Sequence, residues 1–253
     1  MPDRLRLSTP SVHAGEELDE TRSLEPPLVL SSAFSFPNAD VAAAAFRGES
    51  NAYIYGRWGN PTIEMLERKV AVLEDGEEAV AASSGMAAIF GTLMTLLKTG
   101  DHIVAPRAMY GEAARLLRER LPPLGITTTF IDDTSVDGYR AAMTDRTKVL
   151  YIETPGNPTL AITDIEAIAN LAKETGRYTV ADNTFATPYC QRPLALGVDV
   201  VMHSMTKFLG GHGDAICGVA VGASALRARF ATTSSKGSEQ LFAVQCVPRG
   251  SRH

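Results

Sequence analysis

The stretch Asp199-Val-Val-Met-His-Ser-Met-Thr-Lys207-Phe-Leu-Gly-Gly-His-Gly-Asp214 decides the predicted fold, because an apolar run ends there in hydroxyls, a lysine and a glycine-rich turn. Such a run predicts a buried strand. In open parallel sheets, ligands bind beyond the carboxyl ends of the strands, where Lys207 would lie. Partial loss of water lowers the pKa of a lysine toward the range of an amine nucleophile, so the pattern favours Schiff-base chemistry. The alternative is a surface lysine that merely follows a strand.

A second β-rich run, residues 177–182, ends in Asp182 rather than in a turn glycine. A carboxylate at a strand end can keep a pyridine nitrogen protonated. The pairing of such an aspartate with a Schiff-base lysine is what a protein contributes to pyridoxal phosphate (PLP) chemistry. The alternative is an aspartate that caps the following turn. Asp182 and Lys207 together favour a PLP site, and neither decides the matter alone.

The composition favours an enzyme that acts on a small molecule. Hydrophobic residues make up 45% of the 253 residues and aromatic ones only 7%, so the excess is aliphatic, as helix-covered parallel sheets require. The net charge of −5 does not favour nucleic-acid binding, which is typical of basic proteins. Three cysteines without metal-ligand spacing predict no metal site. No apolar run approaches membrane-spanning length and the first residues lack a signal core, so we expect a cytoplasmic protein without a membrane partner.

Strand and helix patterns alternate along the middle of the chain. Helical patterns near 137–143 and 164–175 alternate with apolar runs at 126–131, 148–153, 177–182 and 199–204. Repeated βα units predict an α/β fold with a mainly parallel sheet.

A turn between a strand and a helix offers a place for an anion. A helical pattern begins at Pro61 and stops at Asp75-Gly76, and a short strand and the turn Ser83-Ser-Gly85 follow it before a second helix. A helix that starts at this turn points free N–H groups and the positive end of its dipole at whatever lies above, which suits a phosphate. By itself, such a turn more often serves packing than binding.

Residues 1–60 are poor in regular periodicity, with one short helical pattern near 40–47. We expect this segment to be an irregular arm. Its informative part contains Tyr55 and Arg57. Arginine suits phosphate because its planar fork can donate two parallel hydrogen bonds. The alternative is an aromatic loop with a solvated arginine.

The segment Ser204–Asp214 resembles the lysine signature of the Cys/Met-metabolism PLP enzymes. This trans-sulfuration family includes cystathionine γ-synthase, cystathionine lyases, methionine γ-lyase and the homoserine-ester sulfhydrylases. The resemblance runs from about Ser11 to about Gly222, and Met205 departs from it because the family usually has a small residue there. It implies a fold-type-I, aspartate-aminotransferase-like large domain, with a mostly parallel central sheet and helices on both faces, preceded by the irregular arm.

The resemblance also implies three regions. Residues 1–60 would form an arm at a subunit interface, 61–222 the PLP-binding large domain, and 223–253 a divergent tail in which the family's C-terminal domain has no counterpart. The chain would then be truncated at its C-terminus, by nature, by a frameshift or as a fragment. The expected assembly is a homodimer or homotetramer whose cofactor site is shared between subunits.

Roles for individual residues follow from the same resemblance. Lys207 would hold PLP covalently and transfer protons. Asp182 would keep the pyridine ring of PLP protonated, so that the ring acts as an electron sink. Tyr110 would stack on that ring and shuttle protons. Asn157 would lie beside the ring. The phosphate ligands would be Ser84, Gly85, Met86, Ser204 and Thr206, with Tyr55 and Arg57 from the neighbouring subunit.

The implied activity is γ-elimination or γ-replacement on a methionine- or cystathionine-like amino acid or an activated homoserine. The alternatives are a cystathionine β-lyase or homoserine-ester sulfhydrylase on the same scaffold, or a catalytically impaired, truncated remnant that only binds PLP. Glu112 stands where the family commonly has Gly or Cys. As a pocket residue it would favour a substrate with a cationic or hydrogen-bonding tail; otherwise it only favours the N-terminus of its helix.

Overall fold

The computed structural model describes residues 4–16 and 23–223. Residues 224–253, almost all of the tail predicted at 223–253, lie outside the described residues. None of the helices within the described ranges has the length and apolar character needed to cross a bilayer.

A seven-stranded sheet forms the centre of the described chain. The strands are β1 (Glu78–Ala82), β2 (His102–Pro106), β3 (Thr127–Ile131), β4 (Thr147–Glu153), β5 (Tyr178–Asp182), β6 (Val200–Ser204) and β7 (Gly218–Gly222). Their order across the sheet is β1-β7-β6-β5-β4-β2-β3, and every neighbouring pair is parallel except the two that include β7. The predicted α/β class with a mostly parallel sheet is therefore confirmed.

Three helices precede the first strand, and the other helices of the described residues lie in connections between strands. In chain order, the helices are α1 (Arg4–His13), α2 (Ala39–Phe46), α3 (Pro61–Glu74), α4 (Gly85–Leu96), α5 (Gly111–Arg115), α6 (Val136–Ala142), α7 (Ile165–Thr175) and α8 (Thr187–Cys190). A π-helical turn, Leu116–Arg120, follows α5, and short 3₁₀ turns lie at Pro122–Leu124 and Pro193–Leu196.

Both faces of the sheet are covered by helices. Successive strand residues point to opposite faces, and β4 shows the result. Its Tyr151 packs in one core with Leu93 of α4, while Ile152 packs in a second core with Ile168 of α7. A smaller cluster joins Val70 of α3 to β7. The apolar faces of α3, α4 and α7 are thereby removed from water, which is the main driving force for this arrangement.

Three features differ from the sequence patterns or were not predicted by them. The helical segment that begins at Gly111 is divided, because Leu121 N donates to Leu116 O five residues back and winds that turn wider than an α-helix. Helix α1 lies within the segment expected to be an irregular arm. The antiparallel direction of β7 has no local signal, since it is set by strands distant in sequence.

The carboxyl ends of β4, β5 and β6 lie side by side at one edge of the sheet. Glu153 is opposite Asp182 in the register, and Asp182 is opposite Met202, two residues before β6 ends. The start of α4 reaches the same edge, where Gly85 packs directly against Ser204. Polar residues that are far apart in sequence therefore meet there.

Candidate active site

A cavity of about 220 Å³ lies at this edge of the sheet. Its walls come from the strand ends, the start of α4 and the loops that follow β2, β4, β5 and β6. Nine of the predicted site residues line it: Ser84, Gly85, Met86, Tyr110, Asn157, Asp182, Ser204, Thr206 and Lys207.

The start of α4 forms one wall of the cavity. Ser84 caps the helix, since its Oγ accepts a hydrogen bond from Ala87 N at 3.1 Å. The amides of Gly85 and Met86 are the first two of the helix and have no intrahelical carbonyl to bond. Only glycine fits at position 85, because a Cβ there would lie 2.6 Å from Cβ and 3.0 Å from Cα of Ser204. A helix N-terminus open to a cavity suits an anionic group.

Asp182 ends β5 and is half-buried at the cavity wall. Burial raises the pKa of its carboxyl, and hydrogen bonds from Thr184 together with the nearby His203 oppose that rise. Thr184 N donates to Asp182 Oδ1 at 3.0 Å. The bond fixes the direction of the carboxylate and favours its charged form, which can then hold a protonated ring nitrogen.

Glu153 ends β4 next to Asp182, and the sequence interpretation gave it no role. The residue is 6% exposed, and its carboxylate accepts hydrogen bonds from Tyr110 N at 2.9 and 3.0 Å and from Asn157 N at 2.8 Å. Burial, and then the charge of Asp182, raise the pKa of Glu153 to about 7. Like Asp182, Glu153 is an acidic residue at the end of an apolar strand pattern, and this similarity could have indicated a site residue from the sequence. Glu153 therefore holds the backbone of two predicted cofactor residues.

Lys207 lies just beyond β6, in a turn where its N–H donates to Ser204 O at 3.1 Å. Its side chain lines the cavity, while the residue as a whole is exposed. The hydroxyl of the neighbouring Thr206 donates to Cys217 O at 3.3 Å and accepts from Cys217 N at 3.2 Å. These bonds tie the lysine turn to the start of β7.

Tyr55 and Arg57 do not line this cavity. Tyr55 is 41% exposed, and Arg57 Cζ lies 5.2 Å from the centroid of its ring. Glu112 does not line it either: it is exposed in the first turn of α5, with its carboxylate 3.9 Å from Arg115 Nη1. Of the two interpretations of Glu112, its position fits the one in which it only favours the N-terminus of its helix.

The family model for the Cys/Met metabolism PLP-dependent enzyme matches residues 8–247. The chain belongs to this family. An L-methionine gamma-lyase of Fusobacterium nucleatum subsp. polymorphum is 46% identical over 216 residues, which are 85% of this chain and 55% of that protein. An O-acetyl-L-homoserine sulfhydrylase of Leptospira meyeri is 40% identical over 222 residues, 87% of this chain and 50% of that protein.

A solved structure agrees with this membership of the PLP-dependent family. The crystal structure of metB from Corynebacterium glutamicum superposes with a TM-score of 0.84 at 40% identity, covering 92% of this chain and 59% of that one. The chain spans about half the length of the curated relatives it matches. The family match includes residues 223–247, which the sequence interpretation treated as a divergent tail.

The residues at the cavity fit PLP, the cofactor of the family. The start of α4 offers amides to a phosphate, and Gly85 permits that close approach because no Cβ intervenes. The carboxylate of Asp182 is the kind of group that pairs with a protonated ring nitrogen, and the amine of Lys207 is the kind that reacts with an aldehyde. Tyr110 adds an aromatic ring on the cavity wall. Each chemical part of the cofactor thus has a matching group.

Proposed function

We propose that this protein is a PLP-dependent enzyme of sulfur amino-acid metabolism, which catalyses γ-elimination or γ-replacement on methionine- or cystathionine-like amino acids or on an activated homoserine. The observation that carries the proposal is that Lys207, Asp182 and the start of α4 line one cavity. An amine, a carboxylate and an anion site in one place are what PLP requires from a protein. The activities named for the two relatives support the substrate class.

Bound PLP supplies an electron sink for the charge that develops on a substrate. In the proposal, Lys207 Nζ binds the cofactor and takes and returns substrate protons. Asp182 keeps the ring nitrogen protonated, because a carboxylate close to it favours the charged form. Tyr110 stacks on the ring, and Asn157 lies beside it. Glu153 supports both residues from behind through their backbone amides.

The phosphate lies at the start of α4 in this proposal. Its ligands are the amides of Gly85 and Met86 and the hydroxyls of Ser84 and Ser204, together with the hydroxyl of Thr206 once its proton turns from Cys217 O to the phosphate. Hydrogen bonds to an ionised group are shorter and stronger than those between neutral groups, so several together can anchor the cofactor.

The working assembly in the proposal is a cytoplasmic homodimer or homotetramer. Tyr55 and Arg57 of one subunit reach the phosphate of the next. Their exposure, and their place outside the cavity of their own chain, support this assignment. A surface pair of an arginine and a tyrosine ring, as here, can donate hydrogen bonds to an anion brought by a second chain.

The alternatives on the same scaffold differ in their products. A cystathionine β-lyase releases pyruvate, a γ-eliminating enzyme releases α-ketobutyrate, and a homoserine-ester sulfhydrylase forms a new thioether or thiol. The sulfhydrylase named among the relatives makes the last activity the second candidate. A remnant that only binds PLP would give none of these products.

The experiment that tests the site is borohydride reduction of the PLP-loaded protein, followed by peptide mapping. We expect the pyridoxyl group on the peptide that contains Lys207 and no stable attachment in a Lys207→Ala control. A group trapped on another lysine, or a folded protein without a cofactor absorbance band, would refute the assignment. A panel of methionine, cystathionine and homoserine esters then separates the activities, and a PLP-loaded protein inert toward the whole panel would refute the enzymatic proposal.

A further inference from the structure

A buried polar cluster adjoins the cavity, and we call it the polar clamp. Its members are Glu74, Asn183, Gln191 and His203. Glu74, Asn183 and His203 are each at most 1% exposed. Glu74 is the last residue of α3, Asn183 follows β5, and His203 lies in β6. Polar groups buried so deeply are costly unless they bond to one another, so the clamp requires an explanation.

The contacts of the clamp form one connected network. His203 Nε2 lies 2.5 Å from Glu74 Oε1, and Asn183 Nδ2 donates to the same oxygen at 2.8 Å. Asn183 Nδ2 also donates to Gln191 O at 3.1 Å, and Gln191 Nε2 donates in return to Asn183 Oδ1 at 2.9 Å. Gln191 Nε2 further donates to Thr154 O at 2.7 Å. The clamp therefore ties together the ends of β4, β5 and β6 and the end of α3.

Clamp residues are adjacent in sequence to site residues. Asn183 follows Asp182, and His203 precedes Ser204, so neighbouring clamp and site side chains point to opposite faces of the sheet. His203 is also one of the residues that line the cavity. Thr184 joins the two site residues directly. Its N–H donates to Asp182 Oδ1 at 3.0 Å, and its Oγ1 accepts from Ser204 N at 2.8 Å. A shift of the clamp is thus transmitted to both site residues through one residue, Thr184, whose backbone bonds Asp182 and whose hydroxyl bonds Ser204.

The segment between Asn183 and Gln191 is held in a strained shape. Thr187 has a φ of 62°, a left-handed conformation that is a genuine outlier for a β-branched residue. Such strain persists only when the surrounding structure over-determines it. Here the reciprocal hydrogen bonds of Asn183 and Gln191 close the two ends of the segment. The segment also contributes Thr184 and Phe185 to the cavity wall.

Two atoms of the clamp add a further cost. Glu74 Oε2 and His203 Nδ1 are buried and have no hydrogen-bond partner among the described residues. An apolar pair of the same shape would avoid this cost, since replacing both partners of a buried polar pair can be neutral or stabilising. Stability alone therefore does not explain a carboxylate and an imidazole at this place. A role in fixing the direction of neighbouring groups explains these two residues, because a hydrogen-bonded network specifies one arrangement of its side chains.

We propose that Glu74, Asn183, Gln191 and His203 are positioning residues that act through Asp182 and Ser204, which they fix in the orientation needed to bind PLP. The inference rests on the proposed function, because it takes Asp182 as the ring partner and Ser204 as a phosphate ligand. Site groups must be held by supporting hydrogen bonds to within a fraction of an ångström, and the clamp supplies such support from the far face of the sheet.

The test compares three clamp variants with a matched control in the full chain. His203→Leu removes the contact to Glu74, His203→Gln retains a donor near the place of Nε2, and Gln191→Met removes the amide while keeping the length of the side chain. The control, Thr179→Val, removes the hydroxyl bonded to Asp199 at 2.8 and 2.9 Å. Thr179 is as deeply buried as Asn183, but it lies near the start of β5, at the opposite end of the strand from Asp182.

Two readouts separate positioning from simple stability. The first is hydrogen exchange of the Thr184 and Ser204 amides without cofactor, and the second is the Kd for PLP from an absorbance titration. We expect His203→Leu and Gln191→Met to speed this exchange and to weaken PLP binding about tenfold, the effect of one lost hydrogen bond. His203→Gln should remain within about threefold of the wild type. Thr179→Val should melt at a lower temperature with exchange and Kd unchanged.

The outcomes are distinguishable from a failure of the proposed function. If His203→Leu and Gln191→Met lower the melting temperature but leave both readouts at wild-type values, the clamp is purely structural and the inference is overturned. If the exchange follows the expected pattern but the wild type binds no PLP, the proposed function fails while the positioning of Asp182 and Ser204 stands. If His203→Leu does not fold, Gln191→Met decides, since Gln191 is only half-buried.

Discussion

Replacing Gly85 by alanine should damage the anion site more than the fold. The added Cβ would lie 2.6 Å from Ser204 Cβ and 3.0 Å from its Cα. Carbon atoms prefer a separation of about 3.5–4 Å, so α4 or the end of β6 must move by about 1 Å. Overpacking of this kind costs about 1–3 kcal/mol. The same movement takes the amides of α4 away from the phosphate and should weaken PLP binding about tenfold.

Gly111→Ala is the matched control for that experiment. Gly111 is also the first residue of a helix, and a Cβ there would meet nothing within 4 Å. Both variants gain the same helix propensity, so the difference between them isolates the clash. Thermal unfolding should place Gly85→Ala about 2–10 °C below the control, and a PLP titration should show the loss of affinity for Gly85→Ala alone. Equal melting temperatures and equal Kd values would refute the role of close packing at Gly85.

Three further perturbations test other parts of the site and fold. Arg57→Ala should weaken PLP binding about tenfold in a confirmed dimer, through loss of a charge-assisted contact of about 1.5–3 kcal/mol, and an unchanged Kd would mark Arg57 as an ordinary surface residue. Without cofactor, the free energy of unfolding should decrease as the pH rises from about 4.5 through 7, because the pKa of buried Glu153 is raised to about 7. In urea unfolding, this decrease should be smaller by about 3 kcal/mol in Glu153→Gln, which has no carboxyl to titrate at this position. Burial, and then the charge of Arg146, lower the pKa of His102. The free energy of unfolding should therefore decrease as the pH falls from about 6.5 through that lowered pKa, because the unfolded chain takes up the proton first. Urea unfolding of His102→Gln should show no such decrease.

The sequence predicted the parts of the site that local patterns encode. An apolar run that ends in polar residues predicts a strand end whether or not its neighbours are known, so Asp182 and Lys207 were found together with the turn at Ser84 and Gly85. The βα alternation then implied that these ends share an edge. The prediction holds because a parallel sheet leaves little freedom in where successive strands end.

Other parts depend on contacts that no local pattern contains. Glu74 and His203 are 129 residues apart and meet only when α3 packs on the sheet. Buried His102 likewise bonds the hydroxyls of Thr129 and Thr147, each on a different strand. A polar residue in an apolar run looks like an interruption until its partner is known. The sequence therefore gave no means to distinguish these residues from surface positions.

The antiparallel strand β7 has a consequence for how the fold is reached. Among the described residues, β1 lies at the sheet edge and pairs with β7 alone, from Glu78 opposite Gly222 to Ala82 opposite Gly218. Until β7 has been synthesised, β1 has no partner strand, and α4 lacks part of the surface on which it docks. Closing a loop of this length costs entropy before any contact is gained, which slows folding. The anion site encoded early in the chain is thus completed only when one of the last described segments has left the ribosome.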